Sequence, residues 1–123
     1  MPLDTLNHIA ELLKDWFNLS DWEITCEIGD LPGSNAAQVT IDAVYLDATI
    51  TVDSQCVEQD DMLWSYMIHE FIHILHAEFE LFERHMQLSG AERAMYINYM
   101  ERAVVRTERI ITGLLKDAGR IPK

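Results

Sequence analysis

His69-Glu70-Phe71-Ile72-His73 is the stretch of this chain whose residue types and spacing could do chemistry. In a helix, two histidines four residues apart project from one face, about 40° from each other at ~100° per residue. Two imidazoles so placed can bind one Zn²⁺, and Glu70 lies beside them to take a proton from a metal-activated water. H-E-x-x-H is thus a pattern of metal-assisted hydrolysis. His76 follows on nearly the same face, where it could support or transiently join the ligands, or sit satisfied on the helix surface. His85 lies twelve residues past His73 and is a further ligand candidate, whereas His8 falls in a distant helix and is expected to face solvent. A catalytic zinc needs three protein ligands and an open position, so a third donor must come from another element. Glu101 and Glu108 are the carboxylates placed to supply it.

The elements around the motif follow from periodicity. Residues 4–17 predict an amphipathic helix through Leu6, Ile9, Leu12, Leu13 and Phe17, with Asp4 as its N-cap. Trp22, Ile24, Cys26 and Ile28 alternate with polar residues as a half-buried strand does. After the turn-rich segment 29–35, Ala37, Val39 and Ile41 mark a second strand, and Leu46, Ala48, Ile50 and Val52 a third. Their short connections predict an antiparallel three-stranded sheet with one face covered by helices. The motif helix is expected to start near Asp60 or Asp61 and to bury a stripe of Trp64, Ile68, Phe71, Ile72, Leu75, Phe79 and Phe82. Ser89-Gly90-Ala91-Glu92 matches a capping box, opening a last helix over about 90–116. Its inner stripe is Ile97, Val104, Ile111 and Leu115, and Glu101 and Glu108 share it. Carboxylates on a buried stripe need partners. The class is α+β, in one domain spanning 1–123.

The chain has 123 residues, 49% apolar and 24% charged, which suits one globular domain with a modest core. A formal net charge of −12 argues against nucleic acid or an anionic membrane as partner. Such a charge serves solubility, or else an acidic surface for a basic partner. Cys26 and Cys56 form no C-x-x-C and are expected to be reduced, small apolar residues. Trp16, Trp22 and Trp64 read as core anchors. Without a signal-like start or a long apolar span, the expected setting is the cytoplasm.

In its order of elements (helix, three strands, motif helix, ligand helix) the chain resembles the minimal zincin-type, gluzincin-like metallopeptidases. These include small phage-borne domains and relatives of the ImmA/IrrE proteins. At residue level the likeness rests on His69-Glu70-Phe71-Ile72-His73 with Ile74-Leu75-His76, and on Glu101-Arg102-Ala103-Val104-Val105, where a helical Glu precedes a small apolar run. The resemblance implies a Zn²⁺ held by His69, His73 and Glu101, with Glu70 as general base in peptide-bond hydrolysis. It also implies a protein or peptide substrate whose strand adds to an edge strand near residues 46–53. Two departures stand out. No Gly and third His follow His73 as in metzincins, and His85 falls short of the spacing at which SprT-like members place a third ligand. No transition-state stabiliser is assigned, although Tyr66, Tyr96 and Tyr99 are candidates that could equally be packing or surface residues. The competing readings are a zincin-scaffold binding module that keeps the metal without turnover, and a helical protein with incidental histidines.

Overall fold

The computed structural model describes residues 2–122, without the side chains of Asp60 and Phe82, so the expected cap at Asp60 and the stripe position Phe82 lie outside the described side chains. The order is α1 (Pro2–Trp16), β1 (Glu23–Gly29), β2 (Ala37–Asp42), β3 (Asp47–Asp53), α2 (Asp60–Leu75), α3 (Ala77–His85) and α4 (Gly90–Asp117). α1 begins on Pro2, whose fixed φ and missing N–H suit a first helical turn. Asp4 therefore lies inside that turn, where its charge favours the helix dipole, rather than capping it.

The sheet departs from the antiparallel expectation. Its order is β1-β3-β2, with β3 antiparallel to β2 but parallel to β1. Segment 30–36 carries the chain past the width of one strand, and the tight β2–β3 turn folds β3 back into the gap. That turn is held by Asp42 Oδ1, which accepts from the N–H groups of Val44 and Tyr45 at 3.0 and 3.2 Å. Leu46, expected to open the third strand, instead takes φ 57° in the turn. The long loop is tied to the end of β3, where Leu31 N–H donates to Asp53 Oδ1 at 2.9 Å. With β3 in the middle, the strand expected at an edge is the central one, and β2 is an edge.

One face of the sheet is covered. Ala48, Ile50 and Val52 of β3 meet Leu6, Ile9 and Leu13 of α1 and Leu63, Met67 and Phe71 of α2 in one buried cluster. Trp16 stacks on Trp64 with ring centroids 6.1 Å apart, fixing α1 against α2. Cys26 is buried and Cys56 half-buried, both as free thiols, and burial pushes the Cys26 thiol up to about 11. No helix among the described residues is long and apolar enough to cross a membrane.

The motif helix is shorter than its apolar stripe suggests. It starts after Gln59, with no side-chain cap, so Asp61 falls in its first turn rather than at the cap. It ends at Leu75, and His76 separates it from α3. An open gap bounded by Thr40, Ile41, Ala77 and Leu81 parts α3 from β2. Ala77, Glu80 and Leu81 face that gap, and Phe79, on the opposite side of α3 at helical spacing, is 63% exposed; Leu75 is also outside the core. α4 opens on the expected capping box: Glu92 N–H donates to Ser89 Oγ, and Ser89 N–H donates to Glu92 Oε1. Val104 is fully buried and Ile111 and Leu115 pack on the core, but Ile97 is 52% exposed because the first turns of α4 run beyond it.

Candidate metal centre

The placement of the motif follows from packing. Ile68, Phe71 and Ile72 are fully buried and lock one face of α2 onto the sheet. His69 and His73 are thereby turned to the side where α4 crosses, half-buried and with ring centroids 5.2 Å apart. Val104 anchors α4 at that crossing, so the side chain one turn earlier, Glu101, reaches between the rings. Glu101 Oε2 lies 3.4 Å from His69 Nε2, and its Oε1 lies 2.9 Å from His73 Nε2. The three donors fall within 4.8 Å of one another and can hold a metal ion. Ligands about 2.1 Å from a tetrahedral centre stand roughly 3.4 Å apart, so these separations suit a small cation with nitrogen and oxygen donors.

The far nitrogens of both rings meet carboxylates as well. Glu80 Oε1 is 3.4 Å from His73 Nδ1, and Glu108 Oε1 is 4.0 Å from His69 Nδ1. Carboxylates so placed orient ligand imidazoles and raise their basicity. Glu108 thus faces the rear of His69 instead of the donor cluster. Glu80 was not singled out by the sequence, though a signal existed: it lies seven residues beyond His73, two turns on along the same side.

The charges account for the titration of the rings. Burial lowers His73, but the hydrogen bond to Glu80 and the nearby Glu101, Glu70 and Glu80 carboxylates outweigh it, and the ring is raised. His69 is lowered by burial and by His73, against the pull of Glu101 and Glu108. A proton shared among these groups must leave when a metal enters, so metal affinity should rise with pH.

Glu70 is only 6% exposed, facing a cleft of about 530 Å³ between β2 and α2 that also holds His69, His73 and Glu101. Burial, reinforced by Glu101 and Glu80 and opposed by His73, pushes its carboxyl up from 4.5 to about 7. Because the folded pKa exceeds the unfolded one, the folded state holds the extra proton between these values. In metal-free protein its contribution is therefore intact below about pH 4.5 and is lost as pH rises through 7, a swing of about 3 kcal/mol. Glu70→Gln removes the titration. Urea unfolding of metal-free wild type and Glu70→Gln at pH 5 and pH 8 should show the variant gaining about 2.5 kcal/mol of relative stability at the higher pH, the part of the swing that falls between those values. A difference independent of pH would mean the carboxyl is not shifted.

The other candidates lie outside the donor cluster. His85 and His8 are exposed on α3 and α1. His76 stands apart from the three-donor cluster and is not a satisfied surface residue: it is half-buried at the α2–α3 break, and its Nδ1 lacks a hydrogen-bond partner among the described residues. Tyr99 is exposed beneath the Arg102 guanidinium. Tyr66 donates to Gln59 Oε1 at 2.8 Å and lines a small cavity with His69 and Glu70. Tyr96 lines another with His73 and Glu101, its hydroxyl buried and unpartnered among the described residues. The open edge of β2 was also not anticipated. Asp53 N–H donates to Ala36 C=O, which sets the phase of the β2–β3 ladder. Alternation then leaves the backbone groups of Ala37, Val39 and Ile41 pointing away from β3, and all three residues border the cleft. No family model, curated protein or solved structure matches the chain.

Proposed function

We propose that this chain is a zinc-dependent metallopeptidase of zincin type, hydrolysing a peptide bond in a protein or peptide. The observation that carries the reading is the convergence of His69 Nε2, His73 Nε2 and the Glu101 carboxylate beside a buried Glu70 at the floor of an open cleft. Zinc, when bound, supplies Lewis acidity toward a water and the scissile carbonyl. Glu70 receives the proton from that water and passes it to the leaving amine. Its enclosure by the helix–strand packing keeps it in one place and largely away from bulk water. Glu80 and Glu108 face the imidazoles from behind, where their charge favours the rings electrostatically. The free edge of β2 supports a correction to where a substrate strand would add: along Ala37, Val39 and Ile41, since β3 has both edges paired. Tyr66 and Tyr96 flank the cleft and are the side chains from which a stabiliser of the developing oxyanion would come.

The test has two stages. Apoprotein titrated with zinc at neutral pH should take up about one ion per chain by elemental analysis. The loaded protein should then cleave members of a proteome-derived peptide library, as read by mass spectrometry, with chelation abolishing cleavage and zinc restoring it. Failure to take up zinc defeats the proposal at its root. Uptake without any cleavage would instead identify a binding module on the same scaffold.

A further inference from the structure

The charge of this chain is segregated. Of its nine Lys and Arg, seven lie in residues 93–123, while eighteen of its twenty-one Asp and Glu lie in residues 1–92. The first 92 residues therefore carry −16 and the last 31 carry +4. Within α4 the positive charge is concentrated further. Arg102, Arg106 and Arg109 stand at i, i+4 and i+7, all exposed, and none is ion-paired among the described residues. In a chain so rich in carboxylates, arginines aligned on one flank without an ion-pair partner are unexpected, because like charges at this spacing repel; among the described residues, Arg102 has only the face of the exposed Tyr99 ring, 5.9 Å away, beneath it. They border a shallow groove of about 380 Å³ with Asn98 and Val105, and Glu101 stands at its margin. Glu101 also lines the central cleft, so the groove adjoins the candidate metal centre.

We propose that this flank of α4 is a docking strip for an acidic segment of a polypeptide. The spacing favours an extended chain: Arg102 and Arg106 are separated by about 6 Å along the helix axis, close to the ~6.7 Å between alternate side chains of a strand. Guanidinium forks are suited to carboxylates in this geometry. A nucleic-acid strand, with its dense and continuous charge, would bring phosphates against the −16 of the remaining surface. The strip does not depend on hydrolysis at the metal centre. It would select which polypeptide is held beside that centre, whether or not the polypeptide is cut.

The experiment uses the full chain and a fluorescein-labelled peptide of alternating Glu and Ala, read by anisotropy at low and physiological salt. Wild type should bind, and binding should weaken as salt rises. Arg102→Glu/Arg106→Glu should weaken it at least 10-fold and favour the matching Lys-Ala peptide. Arg102→Lys/Arg106→Lys, which keeps the charge, should retain most of the binding. Circular dichroism and zinc content, measured on every variant, separate this result from loss of fold and from the fate of the metal reading: a wild type that binds the peptide but takes up no zinc overturns that reading and leaves the strip standing. The proposal is overturned if wild type ignores the Glu-Ala peptide, or if charge reversal leaves binding unchanged. Tighter binding of a single-stranded oligonucleotide of equal charge would also overturn it, as would a concentration-dependent doubling of mass abolished by charge reversal, which would assign the strip to a second copy.

Discussion

Glu101→Ala should lower zinc affinity by more than about 100-fold, beyond the 10–100-fold that removing an outer partner of a ligand typically costs. The substitution takes away the carboxylate that, among the described residues, reaches both imidazole Nε2 atoms, at 3.4 and 2.9 Å, leaving two neutral donors on a single helix. It should not unfold the chain, because the Glu101 side chain is half exposed and alanine is a strong helix former. Glu108→Ala and Glu80→Ala provide the comparison. Each removes a carboxylate behind a ring, at 4.0 Å from His69 Nδ1 and 3.4 Å from His73 Nδ1. Neither separation is that of a short, strong hydrogen bond, so each loss should be about 10-fold, at the low end of that range. Competition against a chromophoric chelator would measure all three, with circular dichroism as the folding control. The assignment fails if Glu108→Ala loses the metal while Glu101→Ala keeps wild-type affinity.

The choice between Glu101 and Glu108 marks the limit of what the sequence could say. Seven residues apart on one stripe, they are equivalent in any periodicity argument, and only a family-like run favoured the first. What separates them is where α4 crosses α2, fixed by Val104 packing into the core. That is a long-range fact, invisible to local pattern. The strands divide in the same way. β2 runs from Ala37 to Asp42, as its alternation and flanking turns indicated. Alternation assigns side chains to faces, but the same alternation serves a parallel or an antiparallel neighbour. The insertion of β3 between β1 and β2, and with it the identity of the free edge, depended on how the 30–36 loop crosses. The break at His76 was hidden for a related reason. Phe79 continues the apolar rhythm of α2 in sequence, but after the break α3 turns Ala77 and Leu81 toward β2 and leaves Phe79 on the outer side. Glu80 went unnoticed because a carboxylate on α3 acquires meaning only once His73 is seen to need an orienting partner. The burial of Glu70 was likewise not legible, since β2 and α2 create it together.

Glu70→Gln should keep zinc at close to wild-type affinity and cut the proposed hydrolysis by roughly 10²–10⁴-fold, the usual worth of a positioned general base. The two halves of the expectation have separate causes. Glu70 is not among the three converging donors, so replacing it leaves the metal's ligands unchanged. Its carboxylate faces the cleft instead, and Gln fills the same space without being able to accept a proton. The environment suits the proposed role. Burial raises the free carboxyl to about 7, near the operating pH, where a base can both take a proton and give it up. A cation bound alongside would favour the ionised form, drawing that value down and leaving the base ready at neutral pH. Glu70→Asp tests position separately from proton affinity, because it keeps the carboxylate but withdraws it by one methylene. An intermediate rate for Asp, with a rate for Gln near zero, would place the proton transfer at this side chain. Single-turnover assays on a library-derived substrate, with zinc content measured on each variant, would read all three. Cleavage by Glu70→Gln at the wild-type rate would remove the general-base role, whatever the metal affinity proved to be.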